Sequence, residues 1–272
     1  MKEYLDHLYN RYNRRCFVKP DPLQFLYEYE DREDREIVAL IASSLAYGRV
    51  AQIVKSVASV LDRMAPSPCG FLENASGEFI KDTFSEFRHR FTTGEELSEL
   101  LIGIKCITHR HGSLYRCFGR HLNSKDETVI RALESFTEEL KRSSNGQYNS
   151  LLPSPSRGSA CKRLNLFLRW MVRKDEVDPG EWNCISPARL IVPLDTHMHR
   201  ICRELGLTKR RQADMKTALE ITRSFKTIMP EDPVRYDFVL TRLGIRPDIY
   251  REQCLSLSIE ESPRNMLREA SR

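Results

Sequence analysis

Apolar residues recur along this chain at intervals of three and four, and strand-type alternation is nearly absent. Between Asp34 and Met64 two helical stripes appear, Ile37/Leu40/Ile41/Leu45 and Val50/Ile53/Val54/Val57/Val60/Leu61. They are separated at Tyr47-Gly48, where glycine lets the chain turn, and Pro66 and Pro68 close the unit. A third stripe runs from Gly94 to Ile107 on Leu97/Leu100/Leu101/Ile104, with Glu95 and Glu96 well placed for the positive end of the helix dipole. A fourth, Val129/Leu133/Phe136/Leu140, lies between Asp126 and Leu140. Ser143-Ser144-Asn145-Gly146 and Pro153-Ser154-Pro155-Ser156-Arg157-Gly158 then break the run, predicting a lobe boundary near 143–158 or a functional loop. Helical patterns resume over Ser159–Arg173, Thr196–Leu205, Asp214–Phe225 and Pro233–Leu243, and residues after about Ser256 read as a frayed tail. The expected fold class is all-α.

One helix start stands out. Met198, Ile201, Cys202 and Leu205 share a face, Gly206 supplies a C-terminal stop, and Leu207 follows as an apolar residue. Asp195 therefore reads as the N-cap, its carboxylate accepting backbone N–H bonds beside the positive end of the dipole. A carboxylate held that way stays fixed in direction. That suits a structural cap, and it equally suits a catalytic group facing a developing positive charge.

The stretch Leu194-Asp195-Thr196-His197-Met198-His199-Arg200-Ile201-Cys202-Arg203-Glu204-Leu205-Gly206-Leu207 resembles the "V-D-T-H-V-x-R-V-x-x-R-L-G-L" segment of the helix-hairpin-helix (HhH-GPD) DNA glycosylases. Glu36 to Ala46 is similar to the helix that opens that fold, and Val234 to Gly244 to the helix that closes it, in the same order and rough spacing. The whole chain also resembles a bacterial family of unknown function related to those glycosylases. The resemblance implies a single two-lobed helical domain over 1–272, an interlobe cleft, and Asp195 as the catalytic carboxylate. Two features depart from the pattern: the family's Gln is replaced by Ser43-Ser44-Leu45, and the glycine hairpin is not intact at Leu152–Gly158.

Bifunctional glycosylases add a lysine amine that attacks the sugar and holds it as a Schiff base. Lys162, in the first turn of the helix beginning near Ser159, is the candidate, and its distance before Asp195 resembles the archaeal 8-oxoguanine glycosylases. Lys174, flanked by Asp175 and Glu176, is the runner-up. The candidate DNA- and base-binding residues are Tyr47 and Arg49 in the turn after the opening helix, Arg157, Gly158 and Arg163 around the lysine, and His197 and Arg200 beside Asp195. Asp178, read as the cap of a short helix, and Trp182, read as an open aromatic, complete the set as candidate base contacts. Phe167 and Trp170 read as core.

Charge supports a phosphate partner through its distribution. From Arg157 to Arg211 there are twelve basic and six acidic residues, an excess larger than the +5 of the whole chain. Eight cysteines without a C-x-x-C pair and without a close cluster point to reduced thiols, and they argue against an iron–sulfur cluster. His197/His199 and His109/His111 are each two apart on a helix, a spacing that splits them between faces, so no metal or cofactor is expected. No apolar run approaches a membrane span and the first residues are not signal-like, so a cytoplasmic monomer acting on damaged double-stranded DNA is expected. The competing expectations are a non-catalytic nucleic-acid-binding protein on the same scaffold, an Asp-only glycosylase, and a scaffold recruited for RNA or protein contacts.

Overall fold

Helix α2 (Arg32–Ser44) has no solvent face over most of its length. From Glu36 to Ser44 every residue is buried, which marks it as the central helix of the molecule. Asp31 starts it, its carboxylate accepting the N–H groups of Glu33 and Asp34. The computed structural model describes residues 1–142 and 148–245. The predicted break at Ser143–Gly146 and the tail after Ser256 both lie outside those residues.

In chain order, α1 (Lys2–Tyr12) is followed by a 3-10 stretch at Pro22–Glu28, α2, α3 (Val50–Arg63), α4 (Pro68–Asn74) and α5 (Gly77–Thr83). A two-stranded antiparallel hairpin, β1 (Arg88–His89) with β2 (Thr92–Thr93), leads into α6 (Gly94–His111), α7 (Leu114–Arg120) and α8 (Ile130–Lys141). Then come α9 (Lys162–Val172), α10 (Thr196–Glu204), α11 (Met215–Ile228) and α12 (Asp237–Ile245). The described residues are therefore mostly helical. No helix among them is long and apolar enough to cross a membrane.

Two helices make the centre. α9 is buried from Leu164 to Val172 except at Leu166, and it packs along α2. They run in opposite directions: Arg163 at the start of α9 bonds the Ser44 carbonyl at the end of α2, while Arg35 near the start of α2 pairs with Glu181 beyond the end of α9. Phe118, Phe136 and Phe167 pack beside them with the Trp182 indole. α6 lies against α4, α5, α7 and α8. Its crossing with α8 is close enough that a Cβ on Gly103 would stand 2.3 Å from the Leu140 carbonyl oxygen.

Four helices were not anticipated by the periodicity. α1 covers residues read only as charged and amphipathic, and α4, α5 and α7 are seven residues each, too short for a 3.6-residue period to show. Serine caps define the short ones: Ser67, Ser76 and Ser113 accept the N–H groups of Gly70, Phe79 and Arg116. Pro68, expected to end a unit, instead occupies the first position of α4.

The segment after α9 corrects two expectations. No helix forms there; Asp175, rather than Asp178, organises the turn by accepting the N–H groups of Val177 and Asp178. Trp182 is 2% exposed and donates its indole N–H to Glu36 at 3.0 Å. Both buried side chains belong to the core and present no edge to a bound base.

Candidate active site

The carbonyl end of α2 and the first turn of α9 meet at one wall of a pocket of about 620 Å³. Helix ends carry unsatisfied carbonyls, and cations are favoured there. Lys162 obeys that rule across the helix pair: its Nζ donates to the Ala46 carbonyl at 3.1 Å. The same Nζ stands 3.5 Å from Asp195 Oδ2, with the two side chains 29% and 34% exposed. Asp21, Pro22, Tyr47, Phe91 and Leu194 are among the other residues around the pocket.

Asp195 is placed by its own helix. Oδ1 accepts the Met198 N–H at 2.8 Å, leaving Oδ2 turned to the lysine. α10 then ends as expected: Gly206, at φ +73°, bonds the Arg203 carbonyl, and the Leu207 N–H reaches the Cys202 carbonyl, a Schellman closure. Lys162 is placed by a strained start. Cys161 adopts φ +47°, so α9 begins three residues later than the pattern from Ser159 suggested. Gly158, also left-handed, accepts the Met215 N–H, and Ser159 bridges to Asp214, tying this loop to the start of α11. Burial pushes the Cys161 thiol up to about 11, which leaves it a packing group rather than a nucleophile.

The remaining candidates separate clearly. Tyr47 borders the pocket, and its hydroxyl bonds the His89 carbonyl and Thr92 Oγ1 on the hairpin. Arg49 is exposed at the start of α3. Arg157 is exposed and lines a neighbouring hollow of about 520 Å³ with Tyr148 and Ser156. Arg163, expected at a phosphate, turns inward instead: it donates to the carbonyls of Ser44 and Ser150 and lies over the Tyr47 ring. Asp178 is fully buried between Arg169 and Arg173. Arg169 also pairs with Asp237, and Arg173 with Asp175 and Asp232. Arg169 and Arg173 are thus neutralised inside the molecule. Exposed Arg200, Arg203, Lys209 and Arg211 border a hollow of about 630 Å³ that shares Thr196 with the main pocket.

His197 Nδ1 lies 3.2 Å from the Arg200 guanidinium, whereas His199 is buried with Nε2 3.0 Å from the Arg210 carbonyl. Lys174 is exposed beyond the far end of α9, away from Asp195. Among the described residues, no group of three or more His, Cys, Asp or Glu side chains is arranged to hold a metal ion. Their seven cysteines are free thiols.

Sequence reasoning missed Asp21 and Phe91. Asp21 caps the 3-10 stretch through the Leu23 N–H and pairs with Arg242, so its place on the pocket follows from contacts remote in sequence. Phe91 sits in a hairpin that carries no Asn-Gly or Asp-Gly signal.

Residues 21–246 match a family described as a protein of unknown function, DUF2400. The chain belongs to that family, and the matched span contains Lys162, Asp195 and every pocket residue. No curated protein and no solved structure matches the chain.

Proposed function

We propose that the protein is a two-lobed DNA glycosylase with AP-lyase activity, acting on an oxidised purine such as 8-oxoguanine in duplex DNA. The observation that carries this reading is the 3.5 Å pair of Lys162 and Asp195 on the wall of a pocket of about 620 Å³. The resemblance around Asp195 and the exposed basic residues next to it support it further. On this reading the pocket is the interlobe cleft that receives the flipped nucleotide.

Lys162 gives up a proton to solvent, its amine attacks C1′ of the damaged nucleotide, and the attacking nitrogen loses a second proton as the bond forms. The C1′–N bond breaks, and its electron pair leaves with the base, which takes up a proton. Positive charge accumulating on the sugar is stabilised by the fixed Asp195 carboxylate. The nitrogen lone pair then opens the C1′–O4′ bond, giving an imine on Nζ and a hydroxyl at C4′. Loss of a C2′ proton expels the 3′-phosphate and nicks the strand. Exposed Arg200, Arg203, Lys209 and Arg211 would meet the backbone phosphates.

Borohydride trapping on an 8-oxoguanine duplex tests the reading, since it reduces the imine to a stable protein–DNA link. A covalent adduct is expected from the native protein. It should vanish in Lys162→Ala while DNA retention on a filter is unchanged. An adduct that survives Lys162→Ala removes the lysine assignment and redirects the search to Lys174. Base release without an adduct would make this an Asp-only enzyme. With neither on oxidised, deaminated and alkylated bases, salt-sensitive DNA retention would instead define a binding protein. Retention that ignores salt would point to a scaffold for RNA or protein contacts.

A further inference from the structure

Phe91 occupies the second position of a two-residue turn between β1 and β2. It is 67% exposed and borders the same pocket as Lys162 and Asp195. Its inner face is already taken: the ring stacks on Tyr47 at 5.1 Å between centroids and 25° between planes. Beneath Tyr47 lies the Arg163 guanidinium, 5.1 Å from the tyrosine centroid. Phe91, Tyr47 and Arg163 thus form one column of contacts, and the Arg90 guanidinium lies over the Phe91 ring, 5.8 Å from its centroid.

The column is held by more than contact. Tyr47 bonds both strands of the hairpin, His89 is anchored to Ser56 and to the Tyr47 carbonyl, and Thr92 reaches Ser150. The turn itself is strained. Arg90, before Phe91, has φ +56°, a conformation that ordinarily falls to glycine. The Arg90 side chain lies against Gly48, where an added Cβ would come within 2.7 Å of it.

The charges around the ring say what would lie on it. Arg88 and Arg90 flank it along the hairpin and Arg49 is exposed beyond Gly48, while Glu86 and Glu95 lie at the hairpin root. An exposed aromatic ring with one guanidinium lying over it and further arginines on the same hairpin and at the start of α3 suits a planar ring carried on a phosphate chain. We propose that the exposed Phe91 ring is a stacking seat for an unpaired nucleobase of a DNA strand lying along the pocket mouth, the Arg90 guanidinium moving off the ring toward the phosphate of that nucleotide. This rests on the DNA-binding part of the functional reading and is independent of the lysine chemistry.

Phe91→Trp provides the probe, because Trp170 and Trp182 are 0% and 2% exposed and will respond little to a ligand. Titration with a thymidine oligonucleotide is expected to quench the new indole at least about twofold, and a polyphosphate of matching charge is expected to leave it unchanged. Phe91→Ala and Phe91→Leu should each bind the oligonucleotide about 5- to 150-fold more weakly, with the salt dependence retained. Phe91→Tyr should bind as the native protein does. Native affinity in Phe91→Leu would reduce the seat to an ordinary apolar contact and overturn the proposal, as would an unquenched Phe91→Trp in a complex that forms. Circular dichroism on each variant checks that the helices are intact. Quenching without any borohydride adduct would leave the seat standing and remove the lysine chemistry. An adduct with native affinity in Phe91→Ala would do the reverse; absence of oligonucleotide binding would remove the seat, and absence of duplex retention as well would remove the DNA reading.

Discussion

The Asp195 carboxylate divides its two oxygens between separate tasks: Oδ1 caps α10 through the Met198 N–H at 2.8 Å, and Oδ2 faces Lys162 Nζ at 3.5 Å. One side chain therefore starts the helix and furnishes the charge at the pocket. The two roles can be separated by substitution.

Asparagine keeps an oxygen for the Met198 N–H and removes the charge. Asp195→Asn should leave thermal stability within about 0.5 kcal/mol of the native protein, since the two residues cap about equally well. Base release should nonetheless fall by at least about a hundredfold. Asp195→Ala should lose activity to the same extent and about 1 kcal/mol of stability as well. Urea unfolding and single-turnover base release measure the two effects. Equal activity in the native and Asn proteins would reduce Asp195 to a cap.

Asp178 sits at 0% exposure between Arg169 and Arg173. Removing it leaves two buried guanidinium groups short of a partner, which ordinarily costs about 3–5 kcal/mol. Asp178→Ala should therefore unfold at markedly lower urea concentration. A variant with native stability and weakened DNA binding would restore Asp178 as a base contact.

Gly103 lies within α6, where glycine is a poor helix former. Its presence is explained by the neighbouring helix, since an alanine Cβ would fall 2.3 Å from the Leu140 carbonyl oxygen. That atom belongs to backbone and cannot swing away, so α6 and α8 must separate. Gly103→Ala should destabilise by about 1–3 kcal/mol in spite of its better helix propensity. A gain in melting temperature would show that the crossing is looser than drawn.

His89 is buried under the hairpin, and burial holds its pKa below the ordinary 6.5. The unfolded chain takes up a proton as pH falls through 6.5, whereas the folded chain resists until lower pH. Stability is therefore lost as pH drops through that range, then levels off once the folded imidazole also titrates. His121 shifts the same way, so the test is a difference: between pH 7.5 and 5 the native protein should lose more melting temperature than His89→Gln. Parallel curves would take His89 out of the account.

What could be read before any coordinates follows from range. α2, α3, α6 and α10 carry their own stripes and stops, and Asp195 announces itself as a cap within four residues of its partner. Lys162 was also within reach, because a helix start beside a loop is a local feature. Asp178 and Arg163 misled for the opposite reason. Their charges suggest solvent, and the groups that draw them inward lie elsewhere: Arg169 and Arg173 across a turn, Ser44 on another helix, Ser150 beyond a loop. Phe91 was invisible because strands of two residues leave no alternation to see.

The buried ionic cluster around α9 sets the smallest chain that can contain this site. Arg169 depends on Asp237, and Asp21 at the pocket edge is paired with Arg242, both partners belonging to the last helix described. A fragment ending at residue 236 would carry both Lys162 and Asp195 and still leave the buried Arg169 with Asp178 as its one carboxylate, and Asp21 at the pocket edge without Arg242. Possession of Lys162 and Asp195 is thus no measure of an intact pocket; α12 is as much a boundary of the site as the lysine.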